Sequence, residues 1–150
     1  MMKRLLNLEI IKLIVRIIPA LVFIFFAVVK IENPAEFAHE IGNYKLFPIF
    51  SINLIAIILP WVELILGFML LAGIKIRSTV FFTGVLLLGF ILAVAGAMAQ
   101  GLDISCGCSG HNSPKVGLPK ILENTALLIL CIQTFLNPES KYSLSASSIR

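Results

Sequence analysis

Two cysteines separated by one residue, Cys106 and Cys108, sit within Ser105-Cys106-Gly107-Cys108-Ser109-Gly110. At this spacing the roughly 4.4–6.8 Å Cα separation of a disulfide is within reach, and the glycine between them removes steric objections. Three chemistries are open to the pair. It can cycle between dithiol and disulfide, a thiolate attacking through a mixed disulfide. It can serve as a staple, although loop entropy gives so small a ring only roughly 1.5 kcal/mol, against about 3 for a 15-residue loop. A strained ring also has a relatively oxidising potential, so both arguments favour exchange over stapling. The third chemistry is metal binding by Cys106, Cys108 and His111 with Asp103 nearby, a thiolate and imidazole set that suits zinc or copper. His39 is the one other histidine that could join it. His111 can instead favour the thiolate as imidazolium, or be an ordinary solvated loop residue.

Ionisable residues inside apolar runs form a second group. Glu63 is the sole charge within a long hydrophobic stretch, in Pro60-Trp61-Val62-Glu63. Such residues are costly in lipid and normally face the bundle interior with a partner. Arg16 is the natural candidate. It lies 14 residues before Lys30, and Glu63 lies 14 after Ile49, so counted from those two boundaries both sit about 21 Å deep at 1.5 Å per residue. Arg16 can also snorkel to headgroups, and Glu63 is equally readable as a structural group, ion-paired or buried in its protonated form, or as a proton carrier. Lys120 and Glu123 stand three apart on one helical face, an interfacial anchor with a local ion pair. In a sharper reading Glu123 or Asn124 lies beneath the dithiol and handles a proton. Cys131, deep in an apolar run, reads as a small packing residue.

The elements that must position these residues follow from composition. Of 150 residues, 59% are hydrophobic and 13% charged, against roughly 45–50% and about 25% in soluble domains. A chain this size has no way to hide that much apolar surface in water, so its solvent is lipid. Nucleic-acid motifs, a phosphate loop and internal repeats are missing from the sequence, and three cysteines are too few for a disulfide scaffold. Met1-Met2-Lys3-Arg4 opens like a signal peptide, but Glu9, Lys12 and Arg16 interrupt it and no small-residue cleavage site follows Phe26, so an uncleaved anchor is expected.

Four runs reach the roughly 20 residues that span a bilayer, at about 10–29, 49–72, 79–99 and 118–136. Continuous rather than alternating apolarity selects helices. The expectation is an all-α, four-helix transmembrane bundle over residues 1–137, with a disordered Ser-rich tail over 138–150. Gly84, Gly89, Ala93 and Gly96 of the third span suit close helix approach. Asn33-Pro34-Ala35-Glu36 has a capping-box arrangement with proline at the first helical position. Phe37, Ile41 and Tyr44 follow at helical spacing, so a short interfacial helix ending near Gly42 or Asn43 is expected. Lys3, Arg4, Lys12, Arg16, Lys75, Arg77, Lys141 and Arg150 fall on one side of the spans, and Lys30, Lys45, Lys115 and Lys120 on the other. That bias puts both termini in the cytoplasm and the Cys106–Cys108 loop outside, where thiols can be oxidised.

With these pieces in order, the chain resembles the DoxX-like membrane proteins, in the branch containing the methylamine-utilisation protein MauE. The matching pieces are Arg16-Ile-Ile-Pro-Ala with Phe23, Ala27-Val-Val-Lys30-Ile-Glu-Asn-Pro34 with Phe37, Tyr44-Lys-Leu-Phe-Pro48, Pro60-Trp-Val-Glu63 with Gly67, Leu71-Ala-Gly73, and Cys106-Gly-Cys108 with Gly110. They cover about residues 10–136. The family pattern reads Cys-Gly-Cys-Phe-Gly, and Ser109 stands here where the aromatic would be. Glu123 precedes Asn124 where the family often carries a basic residue, so no role of that basic group transfers.

The resemblance implies a redox-associated protein of the bacterial inner membrane, and MauE itself is linked to maturation of the disulfide-rich small subunit of methylamine dehydrogenase. The partner expected is a periplasmic thioredoxin-like protein or a disulfide-rich client. The residues dictate no resident cofactor; a quinone held between the helices is the acceptor suggested by analogy with unrelated disulfide-forming membrane proteins. A non-catalytic assembly factor, or a metal-binding or transport protein, are the rival readings.

Overall fold

The computed structural model describes residues 2–44, 48–100 and 118–136. Among these residues the chain is wholly helical: α1 (Met2–Glu32), α2 (Pro34–Asn43), α3 (Ile49–Ala72), α4 (Ile76–Ala99) and α5 (Leu118–Leu136). α1, α3, α4 and α5 are each long and apolar enough to cross a membrane. Large apolar side chains such as Phe25, Leu54, Trp61, Phe68, Phe81 and Leu92 point away from the bundle, as a lipid-facing surface requires. The molecule is a four-helix membrane bundle with one short extra helix.

α3 and α5 fill their expected ranges. α4 starts three residues earlier than the apolar run suggested, at Ile76. There Thr79 Oγ donates to the Ile74 and Lys75 carbonyls at 3.0 and 3.3 Å and satisfies the first turn. α1 is longer at both ends, because Lys3, Arg4 and Glu9 before the apolar run and Lys30 and Glu32 after it are good helix formers and charge alone does not stop a helix. α2 begins where expected, with Pro34 at its first position, but the Asn33 side chain makes no capping bond. Its first hydrogen bond is instead the Phe37 amide to the Asn33 carbonyl, at 3.1 Å.

A tight turn joins α3 to α4. Gly73 has φ 71°, its amide bonds the Leu70 carbonyl, and the Ile74 amide bonds the Met69 carbonyl at 2.9 Å. This is the paired-bond helix end that left-handed glycine permits.

α1 packs chiefly on α3, and α4 on α5. Gly67 fixes the α1–α3 register. A Cβ built there would meet Ile24 Cγ1 at 2.7 Å, the Ala20 carbonyl oxygen at 3.1 Å and the Ile24 amide at 3.2 Å. Gly67 therefore lies level with about residue 22 of the antiparallel α1, and Lys30 level with about Leu59. A closed core of Ala20, Phe23, Leu70, Leu87, Leu127 and Cys131 fills this part of the bundle. Beyond Lys30, α1 soon ends at Glu32, yet α3 continues back to Ile49. α2 covers that stretch, with Phe37 and Ile41 against Ile52, Ile55, Ala56 and Leu59. Tyr44, just past its end, packs on Val94 and Ala97 of α4 and Ile121 of α5.

Candidate functional site

Glu63 is 2% exposed, and its partner is Lys30 rather than the expected Arg16. Lys30 Nζ donates to both carboxylate oxygens, at 2.7 and 2.8 Å. The helix register explains the exchange. Side chains on a helix lean toward its N-terminus, so on two antiparallel helices Lys30 and Glu63 lean toward one another across one turn. By the same register Arg16 lies level with Gly73, about 15 Å along the axis from Glu63. It is buried there and makes its own contacts. Counting depth from Lys30 and Ile49 treated the two as level, whereas α3 begins ten residues beyond Lys30, an offset of about 15 Å.

The Lys30 ammonium is enclosed by more than the carboxylate. It lies 4.9 Å from the Phe37 ring centroid on α2 and 4.7 Å from that of Phe90 on α4. Each such cation–ring contact contributes up to about 2 kcal/mol when desolvated. A second buried lysine sits close by. Lys120 is 3% exposed, donates to Glu123 Oε2 at 2.7 Å and lies 4.5 Å from the Phe26 centroid. The expected Lys120–Glu123 pair is thus present, but the lysine is inside the bundle rather than anchored at an interface. Both lysines read as loop markers in the charge count are internal, each with a carboxylate and an aromatic face.

Above this polar floor lies a cavity of about 440 Å³ walled by α2, α3 and α4, with Lys30 and Asn124 at its base. A smaller one of about 20 Å³ beneath it is lined by Phe26, Lys30, Glu63, Phe90 and Asn124, room for about one water. Asn124 is 5% exposed, and among the described residues its Nδ2 has no hydrogen-bond partner. Buried polar atoms are nearly always satisfied, so an unmet amide donor on two cavity walls is a strong functional mark. Gly89 also lines the large cavity, and a Cβ built there meets nothing within 4 Å. Its expected role in close helix approach is therefore corrected: Gly89 leaves space open. Gly84 does face α5, with Leu128 Cδ1 at 3.7 Å from a built Cβ.

Cys106, Cys108, His111 and Asp103 lie outside the described residues, and so does the tail over 138–150. The helix ends that flank the dithiol in sequence, Ala99 and Leu118, are at the α2 end of the bundle, the end that holds the cavity. His39 is on the exposed face of α2, with Asn43 Nδ2 at 3.4 Å from its Nδ1. Among the described residues no three His, Cys, Asp or Glu side chains converge as metal ligands. Cys131 is 1% exposed in the core cluster and unpaired, as a packing residue would be.

The family model for the methylamine utilisation protein MauE matches residues 8–136. The chain belongs to the MauE family. A MauE family relative, the methylamine utilization protein MauE of Methylophilus methylotrophus, is 30% identical over 112 residues. That alignment covers 72% of this chain and 58% of the relative, so the chain spans a little over half the length of the curated MauE protein. No solved structure matches.

Lys30, Phe37, Glu63, Phe90 and Asn124 form the site that sequence reasoning assembled only in part. Glu63 stood out as an intramembrane charge. Phe90 carried no signal, because its contact with Lys30 joins helices far apart in sequence.

Proposed function

We propose that the chain is a membrane thiol–disulfide redox protein of the MauE kind, in which Cys106 and Cys108 exchange with a disulfide-rich or thioredoxin-like partner during its maturation. Methylamine utilisation is the setting that the relative's name suggests, and the wider DoxX kinship belongs to the same reading. The observation that carries it is the Cys106-Gly107-Cys108 spacing, in a connection joining two spans of a MauE-family bundle. A thiolate of the pair attacks the partner, or the reverse, through a mixed disulfide.

Orientation is part of the reading. With Arg16, Lys30 and Lys120 internal to the bundle, nine of the 12 basic residues remain to mark the loops. Lys3, Arg4, Lys12, Lys75, Arg77, Lys141 and Arg150 share one side, against Lys45 and Lys115 on the other. This asymmetry supports cytoplasmic termini and an extracytoplasmic dithiol in the inner membrane. Glu63 takes the role of structural counter-ion to Lys30, and Arg16 lies remote from the dithiol end.

Trapping tests the proposal. Cys106→Ser or Cys108→Ser is expected to accumulate a mixed disulfide with a partner in intact cells. If neither does, and both thiols stay reduced, the redox reading fails. A double serine variant that still supports maturation would leave a non-catalytic assembly factor in its place.

A further inference from the structure

We propose that the 440 Å³ cavity is a binding site for the head of a membrane quinone, with Asn124 Nδ2 donating to one of its carbonyl oxygens. Four observations converge on that class. The volume lies within the roughly 300–1,000 Å³ of small-molecule pockets. Val85, 49% exposed, and the exposed Gly89 line the cavity from the flank of α4 that carries lipid-facing residues. Those exposed lining residues give a lipid-soluble ligand a route in from the bilayer. Phe37, Tyr44 and Phe90 line the walls, offering aromatic surface to a flat head.

The floor selects among lipid-soluble heads. Lys30 is already matched by Glu63 at 2.7 and 2.8 Å, so the pair is neutral and offers no uncompensated positive charge to a phosphate or a fatty carboxylate. Among the described residues that line the cavity, a neutral donor remains unmet: Asn124 Nδ2, buried and without a partner there. A neutral carbonyl acceptor answers it.

The purpose of the site, though not its binding, rests on the dithiol reading. When the Cys106–Cys108 bond closes, two S–H bonds break and one S–S bond forms, releasing two electrons and two protons. A quinone takes up both pairs and becomes a quinol, which leaves by the same route.

The test uses the full-length protein in phosphatidylcholine nanodiscs, titrated with a short-chain ubiquinone and followed by thermal stabilisation and calorimetry. Saturable binding is expected in the native chain and equally in the double variant Cys106→Ser/Cys108→Ser. Gly89→Trp fills the cavity from a position where a built Cβ meets nothing within 4 Å, and is expected to abolish binding while unfolding at the native temperature without quinone. Asn124→Leu removes the donor and is expected to weaken binding at least about tenfold, or 1.4 kcal/mol. Absent or non-saturable binding to the native chain, undiminished binding to Gly89→Trp, or equal competition by palmitate overturns the proposal, the last in favour of a lipid site. Binding without any trapped mixed disulfide keeps the cavity assignment and removes the dithiol reading; trapping without binding does the reverse.

Discussion

Removing either member of the Lys30–Glu63 pair is expected to destabilise the bundle far more than removing both. Lys30→Met leaves a buried carboxylate whose two hydrogen bonds both came from Lys30. Breaking a buried pair in this way costs about 3–5 kcal/mol, whereas apolar replacement of both partners is often close to neutral. The two single variants should also differ. In Glu63→Leu the ammonium keeps the faces of Phe37 and Phe90 at 4.9 and 4.7 Å, contacts of about 0.5–2 kcal/mol each. Glu63→Leu should therefore be milder than Lys30→Met by about 1 kcal/mol or more.

Thermal unfolding of the purified protein in lipid nanodiscs reads these differences, at about 2–4 °C per kcal/mol for a chain of this size. Lys30→Met should drop the midpoint by about 10 °C, and Lys30→Met/Glu63→Leu should recover most of it. Arg16, about 15 Å from Glu63 along the axis, supplies the control: Arg16→Met and Glu63→Leu should combine additively. Additive losses for Lys30 and Glu63, or rescue within the Arg16–Glu63 pair, would refute the register from which the site is built.

Gly67→Val should shift α1 and destabilise by about 1–3 kcal/mol, since its Cβ would meet the Ala20 and Ile24 backbone at 3.1 and 3.2 Å. Gly84→Ala, with only Leu128 Cδ1 at 3.7 Å, should leave the unfolding midpoint unchanged or raise it; equal losses would discount the close approach at Gly67. Cys131, 1% exposed, should react with N-ethylmaleimide only after unfolding, and rapid labelling of the folded protein would contradict its place in the core. A reporter active only outside the cytoplasm, fused after Gly110, should be active, and a silent one would reverse the topology.

The spans were legible because length and continuous apolarity are local properties: α3 and α5 start and stop where the runs do. α1 was underestimated because the rule looks for apolar residues, while Lys3, Arg4, Glu9 and Glu32, just outside the apolar run, favour a helix nearly as well as leucine does. Lys30 was misread for a related reason. In a sequence, a lysine between an apolar run and Asn33-Pro34 is indistinguishable from an interfacial anchor. What buries it is Glu63 on α3, Phe37 on α2 and Phe90 on α4, three contacts that share no local pattern. Glycines show the same ambiguity. A Cβ added at Gly67 would meet backbone and one at Gly89 would meet nothing within 4 Å, though both lie in membrane helices where glycine ordinarily reads as a packing residue.

The ion pair and the cavity have one structural origin. α1 ends at Glu32, while its neighbour α3 runs on to Ile49, about 15 Å past the level of Lys30. Over that distance a full helix is replaced by the ten-residue α2, which bridges from α3 to α4 and α5 through Phe37, Ile41 and Tyr44. Such a bridge covers the gap without filling it, and Gly89 withholds the side chain that would. Lys30 sits two residues before α1 ends, so its ammonium meets Glu63, Phe37 and Phe90 where the cavity begins. Extending α1 by two turns would close the cavity, but it would also have to displace α2 and with it the Phe37 ring that helps hold the lysine. A charged pair in lipid is tolerated here because its carboxylate and aromatic partners satisfy it; among the described residues lining the cavity, the Asn124 amide is left for a ligand to complete.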